Sequence, residues 1–263
     1  MKIYAYNIPR YTHEVLKKEH PTVEFIPNTD RLLHEIKKED VFICMWDDKE
    51  TLNRLNELNN KVFPSKEIID FSSNREKMSK FVDEHSMFAM EREYVKCDGM
   101  FQVTVPKLNR SLNVVVKVGE EHRGQNKFLK YPGQQMTVKD SVIFEEFLDN
   151  AHSFRVLLIE EDVFIIEYFD DPNNPKSMEQ RWIKNLNPLL EENENHALFK
   201  DAIEDTLKMA DLLDYRYIGV DYVRNDEKTL CLEINTFPGV RLNERTREAG
   251  LHYWRKKINE LSE

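Results

Sequence analysis

Residues 218–223, Ile-Gly-Val-Asp-Tyr-Val, and residues 230–235, Leu-Cys-Leu-Glu-Ile-Asn, are the most informative part of this chain. Each segment is apolar enough for a buried strand, yet each carries an acidic side chain, which is costly there unless it is paired or bound to a metal. Glu233 and Asn235 lie two residues apart and point to the same face, and a hairpin brings Asp221 opposite them. Three oxygen ligands on one face suit Mg²⁺. The alternative is an ordinary sheet face exposed to solvent.

Residues 218–222 followed by residues 231–240, Cys-Leu-Glu-Ile-Asn-Thr-Phe-Pro-Gly-Val, resemble the metal-binding end of ATP-grasp enzymes. Those enzymes include glutathione synthetase, D-alanine–D-alanine ligase and the ligases that add glutamate to ribosomal protein tails. Their pattern is an Asp, then Glu-x-Asn, then a Pro-Gly turn, and the resemblance extends from about Asp70 to Leu251. It implies an α/β chain of the α+β type with the ATP-grasp fold. It also implies the ligands of a Mg²⁺ ion: Asp221, Glu233 and Asn235.

Three units are predicted along the chain. Residues 1–66 are interpreted as a small N-terminal α/β domain that precedes the ATP-grasp part, because short apolar runs suited to strands alternate with helical stripes. The resemblance implies a linker helix and nucleotide-lid subdomain at residues 67–148, and a C-terminal subdomain with the metal site at residues 149–263. Ser73 followed by Glu76 has capping-box spacing, which predicts the start of the linker helix there.

A lysine at the end of an apolar strand is a candidate phosphate ligand. Lys117 ends the run Val-Val-Val-Lys, and residues 119–134 form a polar stretch that we interpret as a mobile loop and its return. A lysine leaving a buried strand is a point charge suited to phosphate oxygens. In ATP-grasp enzymes the matching lysine contacts the α- and β-phosphates, and the loop closes over the γ-phosphate. Lys77 matches the second nucleotide lysine of the family; the alternative is an exposed helix lysine.

The loop itself looks most like that of synapsin. Residues 116–127 read Val-Lys-Val-Gly-x-x-His-Arg-Gly-x-x-Lys, with fewer glycines than ligase loops usually hold. The resemblance implies that Arg123 and Lys127 engage the phosphates when the loop closes. A solvated loop charge is the alternative explanation of Arg123.

Residues 142–148, Val-Ile-Phe-Glu-Glu-Phe-Leu, resemble the hinge that binds adenine in ATP-grasp enzymes. The backbone after the strand would bond the adenine edge, and the two apolar side chains that follow would pack near the ring. No acid stands where the ribose carboxylate is expected, so Asp149 is the substitute. The nucleotide-binding residues implied in this segment are Glu145, Glu146, Phe147, Leu148 and Asp149.

The same resemblance implies two catalytic arginines. Arg155, in Ser-Phe-Arg-Val, matches an arginine near the phosphates and substrate, and Arg241, in Pro-Gly-Val-Arg, matches one that holds an acyl-phosphate or a substrate carboxylate. Residues 181–185, Arg-Trp-Ile-Lys-Asn, resemble a segment of synapsin and the ligases, which implies that Lys184 and Asn185 lie near the phosphates. A salt bridge within a strand is the alternative explanation of Arg155.

These residues predict an enzyme that uses ATP and Mg²⁺ to join a carboxylate to an amine through an acyl-phosphate. Positioning and charge neutralisation perform most of such phosphoryl transfer, so no covalent side chain is nominated. A non-catalytic, synapsin-like ATP-binding regulatory protein is the alternative, and the loop favours it. A third class, a nucleic-acid-joining enzyme with a covalent lysyl nucleotide, depends only on the tetrad Lys96-Cys-Asp-Gly99.

Composition limits the partners. The chain has a formal net charge of −10 and no Lys/Arg block, which argues against binding nucleic acid or anionic membranes. Its cysteines, Cys44, Cys97 and Cys231, are far apart and show neither zinc nor disulfide spacing. No signal or membrane-spanning segment is evident. We therefore expect a cytoplasmic monomer or homodimer that acts on small-molecule or peptide carboxylates and amines.

Overall fold

The N-terminal part of the chain forms a four-stranded parallel sheet in the order β2-β1-β3-β4. Its elements are β1 Ile3–Tyr6, α1 Arg10–Glu19, β2 Val23–Ile26, β3 Val41–Cys44 and β4 Lys61–Phe63. The computed structural model describes residues 3–6, 10–26, 37, 40–44, 57, 61–97, 99–108, 112–119, 127–171, 174–185, 194–238 and 244–262. Ile3 and Ile43 belong to the same buried core as Trp254 near the end of the chain, so this sheet packs with the C-terminal part.

Two helices, α2 Lys66–Ser73 and α3 Arg75–His85, lead from this sheet to the next. Asn74 separates them in an extended conformation, and its Oδ1 accepts a hydrogen bond from the backbone N–H of Lys77 at 2.9 Å. An asparagine side chain in this position caps a helix start. The predicted capping box at Ser73 is therefore wrong: the Ser73 hydroxyl instead donates to the carbonyl of Asp70 at 3.2 Å.

The middle of the chain forms an antiparallel sheet in the order β5-β10-β7-β8, which we call the lid sheet. A smaller sheet pairs β6 with β9. The bounds are β5 Arg92–Val95, β6 Phe101–Thr104, β7 Val114–Val118, β8 Lys127–Lys130, β9 Gln135–Val138 and β10 Val142–Glu146. One face of the lid sheet buries Val116 and Phe144 in a cluster with Val103 of β6. Strand alternation turns Lys117 and Glu145 to the other face.

A five-stranded antiparallel sheet, ordered β13-β12-β11-β14-β15, forms the C-terminal part. The bounds are β11 His152–Ile159, β12 Asp162–Asp171, β13 Asn174–Asn185, α4 Glu194–Leu213, β14 Tyr217–Arg224, β15 Thr229–Asn235 and α5 Glu244–Ser262. On one face Phe154 stacks on Tyr222 at 5.3 Å and meets Phe199 of α4 at 4.9 Å. This face is covered by apolar contacts with α4, so polar side chains in the strands collect on the other face.

The mixed α/β class predicted from the sequence is confirmed. Two strands, β8 and β13, are not evident from the sequence. β8 lies within residues 119–134, the stretch interpreted as a loop and its return, and β13 begins inside a segment rich in Pro and Asn, a composition typical of turns. Both carry many polar residues, which weakens the apolar alternation by which strands are recognised. Within the described part of the chain, no helix is long and apolar enough to cross a membrane.

Candidate functional site

The acids of β14 and β15 lie side by side on the face of the five-stranded sheet that is turned away from α4. Asp221 is paired directly with Glu233 across the two strands. Between this pair and the next, Tyr222 with Cys231, the register shifts by one residue, so Leu232 is a bulge in β15. The Nδ2 of Asn235 donates to Oδ2 of Asp221 at 2.9 Å. The predicted grouping of these side chains on one face is therefore confirmed, while their role as ligands stays a prediction.

Arg155 of β11 holds Asp221 through two nitrogens of its guanidinium, Nε and Nη2. Its Nε lies 2.6 Å from Oδ1 and its Nη2 lies 2.7 Å from Oδ2 of the carboxylate, the two-pronged geometry in which arginine binds carboxylates best. Gly219 makes room for this pair, because a Cβ there would lie 2.9 Å from Cδ of Arg155 and 3.0 Å from Cβ of Pro238. Burial lowers the pKa of Arg155, but the negative charge of Asp221 raises it by more. The pKa therefore lies above its ordinary value.

Two lysines of the lid sheet face Glu233 of the other sheet. Lys117 of β7 and Lys127 of β8 are register partners, directly opposite each other. The Nζ of Lys127 lies 3.4 Å from Oε2 of Glu233, and the Nζ of Lys117 lies 3.9 Å from the same oxygen. Like charges directly opposite each other destabilise a strand pair, so this arrangement depends on an anion between the two sheets.

Glu145 of β10 is the second acid that Lys117 contacts. The Nζ of Lys117 donates to Oε1 of Glu145 at 2.8 Å and lies 2.7 Å from Oε2, and both side chains are almost fully buried. Oε1 also accepts from Nε of Arg92 at 3.0 Å. The sequence does not single out Arg92, because the segment around it, Glu-Arg-Glu-Tyr, carries no motif.

The cations of the site keep its glutamates ionised. Burial raises the pKa of Glu233, but the charges of Lys127, Lys117 and Arg155 outweigh this and lower the pKa to about 2. Burial likewise raises the pKa of Glu145, and Lys117 and Arg92 together hold it below its ordinary value. Both carboxylates are therefore negative at neutral pH.

Asp221, Glu233 and Asn235 have the donor chemistry that Mg²⁺ prefers, two carboxylates and one amide. Among the residues that the structure describes, no group of three His, Cys, Asp or Glu side chains could hold a metal. A metal site here therefore requires the side-chain amide of Asn235 as its third ligand. Side-chain cations neutralise both acids, Arg155 at Asp221 and Lys127 at Glu233. Because both carboxylates already have cationic partners here, these residues fit a divalent cation that takes the place of the lysine charge.

An apolar cluster adjoins the end of β10, where the sequence predicts the adenine hinge. Leu148 packs there with Met90 of the segment before β5 and Leu230 of β15, and the half-buried Leu232 lies against them. Glu146 is buried and paired with Lys228 in the turn between β14 and β15. Phe147 is half-buried beside this cluster. Asp149 is exposed at the turn that follows, and its backbone carbonyl accepts a bond from Asn225 at 3.3 Å.

Other candidate lysines lie on the surface. Lys77 is 51% exposed on α3 and lies 2.8 Å from Oδ2 of Asp70, away from the cluster around Lys117. The buried cation of this helix is instead Arg75, whose Nη1 donates to the carbonyl of Gly119 at 2.9 Å at the end of β7. Lys96 of the Lys-x-Asp-Gly tetrad is 77% exposed and lies 3.5 Å from Glu76.

Four predicted residues cannot be located in detail. Arg123 and Arg241 lie outside the described residues. Lys184 and Asn185 lie in β13, where their backbones pair with Ile165 and Phe164, but their side chains lie outside the described part of the structure.

No family model matches the sequence, and no curated protein does, but solved structures share its architecture. The D-alanine–D-alanine ligase of Bacillus anthracis has a TM-score of 0.59 at 14% identity, over 99% of this chain and 95% of that one. The RimK domain ATP-grasp protein of Sphaerobacter thermophilus has a TM-score of 0.57 at 13% identity, over 96% and 98%. The ATP-grasp ligase PsnB with its minimal precursor gives 0.57 at 12% identity, over 95% and 97%. This chain has the ATP-grasp fold.

The ATP-grasp fold explains how the site is assembled. The lid sheet contributes Lys117, Lys127 and Glu145, whereas β14 and β15 contribute Asp221 and Glu233, so the site lies between two sheets. The likeness to the ligases extends over nearly the whole chain. At 14% identity or less, this likeness shows the fold alone.

Proposed function

We propose that this protein is an ATP- and Mg²⁺-dependent ligase that joins a carboxylate to an amine through an acyl-phosphate, with release of ADP and phosphate. The observation that carries the proposal is the meeting of Lys117 and Lys127 with Glu233 between the lid sheet and the five-stranded sheet. Two opposed lysines and a strongly acidic carboxylate form a site for a polyanion together with a metal ion. A nucleotide triphosphate with Mg²⁺ has both parts.

The nucleotide would lie with its base toward the apolar cluster and its phosphates toward the lysines. Leu148 and Leu232 offer apolar surface to an adenine ring, and the backbone after β10 would bond the edge of that ring. Lys117 and Lys127 would exchange Glu233 for phosphate oxygens, which bind ammonium groups strongly. Asp221, Glu233 and Asn235 would hold Mg²⁺. When bound, Mg²⁺ would supply positive charge that offsets the negative charge of the phosphates.

The reaction that this site supports consists of two displacements. An oxygen of the substrate carboxylate attacks the γ-phosphorus, the bond from phosphorus to the ADP oxygen breaks, and an acyl-phosphate forms. The amine nitrogen then attacks the acyl carbon, phosphate departs with the electron pair, and the nitrogen loses a proton to solvent. Lys117, Lys127 and Arg155 stabilise the negative charge that develops on the transferred group. None of these steps needs a covalent intermediate with the protein.

The test is a screen for ADP release. The protein is incubated with ATP, Mg²⁺ and pairs of carboxylates and amines drawn from amino acids, peptides and polyamines, and ADP is measured by a coupled assay. We expect ADP release that requires both substrates and that disappears in Glu233→Gln. ATP binding without ADP release from any pair would contradict the ligase and favour the regulatory alternative.

A further inference from the structure

Arg92 has more fixed partners than a surface strand residue would have. Its side chain is fully buried. The Nε donates to Glu145 at 3.0 Å, and Nη1 donates to Asp83 of α3. The Nη2 donates to the carbonyls of Cys231 at 3.1 Å and Leu232 at 2.9 Å. One guanidinium thus joins the lid sheet, helix α3 and strand β15.

The two carbonyls that Arg92 binds belong to the bulge of β15. A bulge leaves backbone groups without ladder partners, and a buried unpaired carbonyl costs free energy. Arg92 satisfies the carbonyls of Cys231 and Leu232, and the next residue along the chain is Glu233. The guanidinium therefore fixes the backbone from which Glu233 projects.

The contacts of Arg92 form a closed ring through the site. From the carbonyl of Leu232 the ring passes through the guanidinium to Glu145. From Glu145 it passes to Nζ of Lys117 at 2.8 Å, and it returns from Lys117 to Glu233 at 3.9 Å. Only the last contact would be exchanged when a nucleotide binds, so the rest of the ring keeps the lysine and the acid at a fixed separation.

We propose that Arg92 is a positioning residue for Lys117 and Glu233, an inference that rests on the proposed nucleotide site. Arg92 does not touch the nucleotide. It orients Glu145, which orients Lys117, and it holds the bulge that orients Glu233. Arginine suits this task because its planar fork donates in several fixed directions at once, whereas a lysine is a single point charge.

A double-mutant cycle tests whether Arg92 acts through Lys117. The dissociation constant of Mg-ATP is measured by calorimetry for wild type, Arg92→Met, Lys117→Ala and the double variant. Because Arg92 and Lys117 share Glu145 in one hydrogen-bond network, their effects are energetically coupled. We expect Arg92→Met to raise the constant about tenfold in wild type and only about threefold in the Lys117→Ala background, where the route through Glu233 alone remains. A change of equal size in both backgrounds, or no change in wild type, would overturn the proposal.

Two further variants separate positioning from stability. Thr206→Val removes a buried hydroxyl bonded to Ala202 on α4 at 2.8 Å, on the far side of the five-stranded sheet, and should lower the melting temperature without changing the dissociation constant. Arg92→Lys keeps the charge without the fork, and we expect a smaller rise than for Arg92→Met. If Arg92→Met does not fold, the same cycle is run with Arg92→Lys, and an unchanged constant for that variant overturns the proposal.

The ADP-release screen tests the ligase independently of the double-mutant cycle. Coupling between Arg92 and Lys117 without any ADP release would support the positioning role and contradict the ligase. ADP release without coupling between Arg92 and Lys117 would support the ligase and contradict the positioning role. Wild-type protein that does not bind Mg-ATP would overturn both.

Discussion

Two carboxylates on opposite sides of the five-stranded sheet are stabilised in different ways. Asp205 of α4, on the helix side, is fully buried and accepts bonds from the Ser86 hydroxyl at 2.6 Å, the Met87 amide at 2.7 Å and the Tyr222 hydroxyl at 3.1 Å. Glu233, on the other side, is about one-third exposed, and its partners are the lysines of the lid sheet. The first acid is held by neutral hydrogen-bond donors, and the second by lysine cations from another sheet.

This difference indicates what each acid does. Neutral donors at Asp205 tie the end of α3 to α4 and β14, so their loss weakens the fold. A carboxylate paired with lysines contributes little to stability relative to an apolar alternative, and its partners can be exchanged for a ligand. Perturbed acids with cationic partners are typical of functional sites. Substitutions on the Glu233 side should therefore change function, and those on the Asp205 side should change stability.

The largest effect is expected for Glu233→Gln. The substitution removes the negative charge that would hold Mg²⁺ while it keeps the size of the side chain, so ATP turnover should be abolished while the circular dichroism spectrum remains that of the folded protein. The matched control is Glu227→Gln, an exposed glutamate in the turn of the same hairpin, which should retain full turnover. Turnover at the wild-type rate in Glu233→Gln would remove the metal assignment.

Asp205→Asn should have the next largest effect, and on stability instead of function. It leaves buried donors with fewer acceptors, so the free energy of unfolding, measured with urea, should fall by about 3 kcal/mol. The affinity for Mg-ATP, measured below the melting transition, should be unchanged. Asp211→Asn on the same helix removes an exposed pair with Arg216 and should cost about 0.5 kcal/mol or less. A stable Asp205→Asn protein with weakened nucleotide binding would reverse the comparison.

Lys117→Ala should weaken ATP binding by about 1–3 kcal/mol, the scale of one charge-assisted hydrogen bond, when the dissociation constant is measured by calorimetry. Lys130→Ala is the control, because Lys130 lies on the strand β8 that pairs with β7 but on its other face, opposite Val114. It should leave the affinity within a factor of about two. Equal losses for the two lysines would mean that general charge, and not the position of Lys117, governs binding.

The smallest effect is expected in the pH dependence of stability, to which Glu145 contributes. The pKa of Glu145 in the folded protein lies below its unfolded value, so its ionised form stabilises the fold above the unfolded pKa of about 4.3, and this contribution is lost as the pH falls through the folded value. The stability difference between wild type and Glu145→Gln should therefore be largest near pH 7 and should shrink below about pH 4. Urea titrations between pH 7 and pH 3 measure it. The control is Glu93→Gln, an exposed position on β5, whose free energy of unfolding should equal that of wild type across this pH range. A stability difference between Glu145→Gln and wild type that does not change with pH would contradict the prediction.

The sequence predicts the acids of the site well because they are close together in the chain. Strand alternation places Glu233 and Asn235 on one face, and a short turn returns the chain from Asp221. Lys117 is recognisable because it follows a run of valines. The ATP-grasp fold is implied by the resemblance of the β14–β15 hairpin to the metal-binding end of that family, and the likeness to solved structures confirms the fold.

Contacts between distant segments could not be predicted. Arg92 meets Glu145 across 53 residues and Leu232 across 140, and no local pattern reports such a distance. The bulge leaves no signal in Leu-Cys-Leu-Glu, which fits an unbroken strand equally well. The helix cap moved from Ser73 to Asn74 because both residues are good caps, and the choice between them is made by packing.

The bulge at Leu232 makes this strand sensitive to length as well as to composition. In an unbroken ladder, Leu232 would stand opposite Asp221, and Glu233 would point among the rings of Phe154 and Tyr222. Deleting a single residue from β15 next to the bulge would therefore turn the acid inward, where a charge without a partner is far more costly than a lost contact. Insertions in the turn at residues 225–228 would not change the face of the sheet to which Glu233 points. Evolution can lengthen this hairpin at its tip, but it cannot shorten the strand by one residue and keep Glu233 in the site.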